Sequence, residues 1–231
     1  MIAMDDLKIL DNVMWNSLSG PQARFASGEG SVRRFARGFS AILGCEDPHN
    51  PDFSALESIC DPGEELYIDI WDGRAPAGWQ ILKDARMLKM VWQGPPPDED
   101  LAPDAAPLEQ CHHAEMLEFA RELNPGPFGI RTPELGEYFG YFDDGKLIAM
   151  AGERMEVGSL REISGVCTHA AHRGHGYAAM LTMKLVHRQM QRGLTPFLHV
   201  MTHNTGARSL YEKLGFRNYL ETTVRVIART T

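Results

Sequence analysis

A mixed α/β (α+β) fold, a sheet flanked by helices, is what this sequence predicts. Three observations carry the prediction. Apolar runs that alternate with period two trade places with segments whose apolar residues recur at helical spacing. Turn signals such as Asp143-Asp144-Gly145 separate neighbouring strands. A glycine-rich turn, Arg173-Gly174-His175-Gly176, joins an apolar strand directly to an amphipathic helix.

The elements follow in order. Leu10–Phe25 reads as two short helices around Ser19-Gly20-Pro21. Residues 61–92 suggest a β-meander: Leu66, Ile68 and Ile70 alternate, Asp72-Gly73 turns, and strands near Trp79–Leu82 and Met87–Trp92 follow. Trp15, Trp71, Trp79 and Trp92 read as core, because large aromatic side chains are usually well buried. The stretch GPPPDEDLAPDAAP, residues 94–107, is expected to be stiff, extended and solvated, and marks a boundary between residues 1–105 and 106–231. Beyond it, Leu108–Leu123 carries Met116, Ala120 and Leu123 at helical spacing, and Asn124-Pro125 ends that helix. Thr132-Pro133-Glu134 opens a short helix, with threonine as cap. Glu137–Phe142 and Lys146–Val157 form a hairpin, and Leu160–Thr168 is a strand. Tyr177–Gln191 is a helix with Ala178, Leu181 and Leu185 on one face, stopped by Gly193. Pro196–Thr202 is a strand, Gly206–Leu214 a helix, and Arg217–Arg229 a last strand or hairpin.

Composition bounds the partners. The chain has 231 residues, enough for a substantial core, and no run of 18 apolar residues for a membrane span. Met1–Leu10 does not resemble a signal peptide. Net charge is −8, which argues against nucleic acid, since phosphate neutralisation needs clustered Lys and Arg. The deficit lies in residues 1–105, with 9 basic and 18 acidic groups, an acidity that could help steer a cationic amine. Cys45, Cys60, Cys111 and Cys167 show no CxxC spacing, so a reduced, cytoplasmic setting is expected. The sequence is compatible with a homodimer.

The turn Arg173-Gly174-His175-Gly176-Tyr177-Ala178 is the feature with most chemistry in it. Glycines let the backbone approach a ligand and take unusual dihedrals. The first amides of the following helix have no partner inside it, and the helix dipole adds positive potential. One exposed dipole–anion contact is worth only about 0.3–1 kcal/mol. Several charge-assisted hydrogen bonds at roughly 1.5–3 kcal/mol each could anchor a diphosphate. A tight connection without a ligand is the plainer alternative. The lysine and Ser/Thr of a P-loop are absent, and the spacing fails the GxGxxG pattern.

The order of strand, Arg173-x-x-Gly176-x-Ala178, helix, strand, Asn204 and then Tyr211-Glu212-Lys213-Leu214-Gly215-Phe216 resembles the GNAT superfamily of acyl-CoA-dependent N-acyltransferases. The resemblance covers about Leu108–Arg229 and is strongest over Glu162–Phe216. It implies a mixed, mostly antiparallel sheet with two strands splayed in a V that takes the arm of acetyl-CoA. It also implies that Gly174, His175, Gly176, Tyr177 and Ala178 hold the pyrophosphate beside Arg173, and that a backbone N–H near Val166, Cys167 or Thr168 polarises the thioester. Residues 1–105 lack the pattern and could be a degenerate half-copy of the same fold.

Transfer from a thioester to an amine also needs proton handling. In the family a tyrosine at the place of Tyr211 often protonates the leaving sulfur, and a phenol is protonated at neutral pH; a core aromatic is the alternative. Asn204 could touch the cofactor, cap the next helix, or both. For the base, strand alternation groups Glu162 with Ser164, Val166 and Thr168, and Glu153 with Ala149, Ala151 and Met155; either could act directly or through water. Surface or salt-bridged glutamates are the alternative. His199 and His203 are further candidates. Cys167 reads as a small buried hydrophobe rather than a nucleophile. His169, His172 and His175 recur every three residues, but on a strand end and loop rather than a helix, so no metal is expected.

The function expected is a cytoplasmic N-acetyltransferase that moves an acetyl group from acetyl-CoA to a primary amine on a small molecule or peptide, by direct attack in a ternary complex. Asn124–Thr132 and the last strands are expected to shape the acceptor site. The rival is a CoA-binding regulatory or scaffold module without turnover.

Overall fold

The structure, a computed structural model, describes residues 4–230, with side chains from residue 6 onward; the first residues of the Met1–Leu10 segment discussed above lie outside it. In chain order the elements are α1 (Met4–Leu7), α2 (Val13–Leu18), β1 (Ala26–Ser27), β2 (Val32–Phe35), β3 (Leu43–Cys45), α3 (Phe53–Glu57), β4 (Leu66–Asp69), β5 (Trp79–Trp92), β6 (Ala106–Pro107), α4 (His113–Leu123), β7 (Tyr138–Asp143), β8 (Lys146–Val157), β9 (Leu160–Thr168), α5 (Tyr177–Gln191), β10 (Thr195–Met201), α6 (Thr205–Leu214) and β11 (Phe216–Arg229). No described helix is long and apolar enough to cross a membrane.

Eight strands form one sheet in the order β4-β11-β5-β10-β9-β8-β7-β6, and β1-β2-β3 form a small second one. Every pairing in the large sheet is antiparallel except β9 with β10. The mostly antiparallel sheet flanked by helices is therefore present. Residues 61–92 are not a meander, however. β11 lies between β4 and β5 and pairs with β5 from Phe216↔Trp92 to Arg229↔Trp79. The reason is local as well as global: Ile70 has φ +76 and turns the chain out of the sheet directly after β4. β5 is then captured on its other edge by β10. Strands from before and after residues 94–107 thus share one sheet.

Side-chain alternation along β5 sorts the two cores. Met87 and Val91 face a cluster with Leu10, Met14, Phe35 and Phe197, beneath α2 and the small sheet. Leu88, Met90 and Trp92 face Leu181, Leu185, Tyr211 and Phe216, beneath α5 and α6. Phe35, Phe197 and Phe216 are fully buried, and each such side chain contributes about 1.5–3 kcal/mol of transfer free energy. The proline-rich stretch is largely exposed, as expected, but it is anchored to α5. Lys184 Nζ donates to Asp100 Oδ2 at 2.5 Å and to the Ala102 carbonyl at 2.9 Å, and Ala102 is buried against α5.

Smaller differences have simple causes. The helix expected from Leu108 begins as a 3-10 turn and becomes α-helical only at His113, because Glu109 is still extended. Asn124 ends it in a left-handed conformation, φ +49, just before Pro125. Thr132 lies inside a 3-10 turn and is not its cap; its Oγ1 accepts from the Gly129 N–H at 2.9 Å. The β7–β8 hairpin closes through Asp144 and Gly145, φ +46 and +74, the left-handed pair that a two-residue turn requires.

Candidate functional site

The parallel ladder between β9 and β10 is short. It runs from Leu160↔Thr195 to Ile163↔Leu198 and stops. Ser164–Thr168 and His199–Met201 continue without pairing each other, so the two strands open into a V. Alternate N–H groups on that edge of β9 have no strand partner there. Gly165, φ +66, sits where the ladder ends, and β9 changes register against β8 between Ser164 and Cys167. A bulge of this kind re-aims the side chains that follow it. Glu162, Ser164, Val166 and Thr168 therefore do not share one face, contrary to simple alternation.

A groove of about 650 Å3 lies on the α5–α6 side of the V, within the size range of small-molecule sites. Val166, Cys167, Thr168, Arg173, Gly174, Gly176, Tyr177, Ala178, Asn204 and Tyr211 all line it. His175 does not; its ring stacks on Tyr177 at 6.0 Å and its Nδ1 meets the His172 carbonyl at 3.1 Å. Gly174 and Gly176 have φ +85 and +83, and a Cβ on either would meet nothing within 4 Å. The turn thus needs glycine for its dihedrals while the space over it is open. No side chain caps α5, which leaves its first amides facing the groove. Thr168 Oγ1, buried, has no hydrogen-bond partner among the described residues.

A second cavity, about 430 Å3, lies on the opposite face. Asn124, Pro125, Val166, Asn204, Ala207 and Tyr211 border both, so the two spaces meet through the V. Asn124–Pro127 and Val224–Val226 wall this cavity. Sequence reasoning missed its other wall, formed by Met14, Ile42, Tyr67, Lys83, Ala85 and Met87 from the first 105 residues. No local motif signals that contribution, because it arises from packing between distant segments.

Tyr211 is buried at 7% exposure, and burial pushes its phenol up to about 12, so it stays protonated at neutral pH. Burial also pushes the Cys167 thiol up to about 12, which removes the thiolate a nucleophile needs. Asn204 Oδ1 accepts from the Ala207 N–H at 3.2 Å and caps α6, while Asn204 also lines both cavities.

The two glutamates separate. Glu162 is 1% exposed and lines the second cavity. Arg154 holds it bidentately at 2.9 and 2.6 Å, His199 Nδ1 lies 2.7 Å from Oε1, and the Met155 N–H donates at 3.2 Å. Burial alone would raise this carboxyl, but Arg154 and His199 overcome it and hold the group well below the usual carboxylate range. Glu153 lines neither cavity. It sits opposite Ile163 at the closed end of the V, fully buried, paired with Arg161 at 3.2 Å, Gln189 at 3.0 Å and Arg192. That is an ion cluster against α5: Glu153 lies level with the end of the ladder but points to the face away from the second cavity. His169 and His172 face separate acids, Glu122 at 3.6 Å and Asp143 at 3.7 Å, and among the described residues no group of three or more His, Cys, Asp or Glu is placed to hold a metal ion.

A family model described as FR47-like protein matches residues 138–226. A solved structure from Novosphingobium aromaticivorans, described as of the GNAT family, is 33% identical, with 96% of this chain and 99% of that one covered at a TM-score of 0.87. Two more distant structures share the fold: a GCN5-related N-acetyltransferase from Kribbella flavida, at 16% identity, 99% and 97% coverage and TM-score 0.57, and a GNAT-family acetyltransferase from Colwellia psychrerythraea, at 14%, 99% and 98%, and 0.52. No curated protein matches the chain.

Proposed function

Because the chain belongs to the GNAT family, whose members are acetyltransferases, we propose that it moves an acetyl group from acetyl-CoA to a primary amine by direct attack in a ternary complex. The observation that carries the reading is the end of the β9–β10 ladder at Ile163 and Leu198, beside an uncapped Gly174–Gly176 turn.

The residues present suit acetyl-CoA. Amides of Gly174–Ala178 would receive its pyrophosphate, with Arg173 beside them. Its pantetheine arm would lie along the unpaired edge of β9, where Val166, Cys167 and Thr168 line the groove. Peptide-like groups of that arm can bond where a strand would otherwise pair, and the thioester oxygen can meet one free N–H of the same edge. The co-substrate supplies an activated acyl carbon; the protein supplies position and protons. Tyr211, protonated and on the boundary of both cavities, gives its proton to the departing sulfur. The acceptor amine, on a small molecule or a peptide, enters from the second cavity, whose charged lining sets Glu162 against Lys83, Arg154 and Arg225.

The test combines titration calorimetry with acetyl-CoA and a thiol-release assay across aliphatic, aromatic and amino-acid amines. Binding together with amine-dependent thiol release is expected. A protein that neither binds nor releases thiol is not an acetyltransferase of this kind. One that binds without turnover with any amine is a CoA-responsive module instead.

A further inference from the structure

A row of ionisable side chains crosses the face of the sheet beneath α2, and one member has an unused nitrogen. Arg154 on β8 holds Glu162 on β9, and Glu162 meets His199 on β10. His199 lies opposite Lys89 on β5, so the two share a face. Lys89 is spent elsewhere: its Nζ donates to the Leu10 carbonyl at 2.8 Å and pairs with Asp69 Oδ2 at 2.8 Å. The row therefore consists of two closed ion pairs with an imidazole between them. Glu162 and Lys89 are the charged neighbours of His199 on the adjoining strands, with Arg154 and Asp69 behind them. Lys83, Arg225 and His203 are the other basic groups on the cavity wall.

The tautomer of His199 follows from its partner. A carboxylate only accepts hydrogen bonds, so Nδ1 must carry the proton across the 2.7 Å contact with Glu162. Nε2 then carries the lone pair in the neutral ring. That nitrogen is buried and has no hydrogen-bond partner among the described residues, and the residue lines the second cavity together with Tyr211. Buried polar atoms without partners are rare and call for an explanation.

We infer that His199 Nε2 is the proton acceptor for the amine and that Glu162, pinned by Arg154, is the positioning residue that orients it. The inference rests on the acetyl-transfer reading. An ammonium acceptor gives one proton to Nε2 and becomes a neutral amine. Its lone pair forms the new C–N bond at the thioester carbon, the C–S bond breaks, and the sulfur takes a proton from Tyr211. The nitrogen loses its second proton as the amide forms, which restores the phenol through the cavity, and Nε2 passes the first to solvent. The sum is amide, CoA thiol and one proton.

His199→Asn tests this, because its side-chain amide can still donate towards Glu162 while the Nε2 position is removed. We expect kcat with the best amine of the panel to fall about 10²–10⁴-fold, as for loss of a general base. Acetyl-CoA affinity should be unchanged, and the ascending limb of kcat/KM against pH should disappear. Glu162→Gln should lower kcat with KM held. A second readout needs no acceptor: long-range proton–nitrogen spectra of 15N-labelled protein should show His199 as the Nδ1–H tautomer in the wild type and a mixture in Glu162→Gln. An Nε2–H tautomer in the wild type, or a His199→Asn enzyme that keeps wild-type kcat and its ascending limb, overturns the assignment. A wild type that binds acetyl-CoA and releases no thiol with any amine instead removes the transfer reading, and the base with it.

Discussion

Ile163 and Leu198 face each other as the last paired residues of β9 and β10, and the opening of the site begins directly beyond them. Up to this pair the two strands satisfy each other. Past it, Gly165 takes φ +66, the strands part, and the backbone edge becomes available to a ligand. One face of the opening meets the glycine turn; the other meets His199 and Glu162.

Gly176→Ala should weaken acetyl-CoA binding about tenfold while leaving the fold intact. A Cβ there meets no other segment within 4 Å, so a clash with the surrounding structure is not the cause. It comes from φ +83, where an L side chain costs roughly 1–2 kcal/mol and pulls the turn towards another shape. A tenfold change in affinity is about 1.4 kcal/mol. Gly193→Ala is the control. It has φ +74 and equally open space, but it follows α5 at the end remote from the groove. It should lower melting temperature and leave calorimetric affinity alone. Equal affinity losses in both variants would mean that the Gly176 turn has no special part in binding.

Tyr211→Phe should lower kcat by about 10²-fold or more, the usual scale for losing a general acid. The ring is buried between Phe216 and the groove, and phenylalanine preserves its packing, so stability and acetyl-CoA affinity should hold. Steady-state kinetics beside calorimetry separates the two quantities. A variant with unchanged kcat returns Tyr211 to the role of a core aromatic.

Much of this was legible from residues 160–216 because the signals there are local. Strand alternation, paired glycines and the helix face of Ala178, Leu181 and Leu185 each specify structure within a few residues. The groove side of the site follows from them. The second cavity does not. Glu162 and His199 lie 37 residues apart, and only the short parallel ladder brings their side chains to 2.7 Å. β5 could not be placed from its own sequence, since its partners β10 and β11 come more than a hundred residues later. The face change along β9 did carry a signal, since a lone glycine within a strand, here Gly165, often marks a bulge, and simple alternation passes over it.

Glu153→Gln should cost stability without touching catalysis. The carboxylate is fully buried among Arg161, Gln189 and Arg192. Removing one partner of a buried ion pair typically costs about 3–5 kcal/mol. For a chain of this size each kcal/mol shifts the melting temperature by roughly 2–4 °C. A melting point lower by about 10 °C, with kcat and acetyl-CoA affinity retained at permissive temperature, is the expected pattern. A selective loss of kcat with an unchanged melting curve would restore Glu153 to the list of bases.

Acid should unfold the protein partly through Glu162. Its carboxyl is held well below the unfolded value of about 4.3. A group depressed in this way stabilises the fold at every pH above its unfolded value, and that contribution drains away as pH falls below it. Urea unfolding followed between about pH 6 and pH 3 should therefore steepen through the acid range in the wild type. Glu162→Gln should start less stable near neutrality, because Arg154 loses its counter-charge inside the sheet, and should then lose stability less steeply. Parallel curves for the two proteins would mean that the carboxylate is not the ion that Arg154 and His199 hold in place.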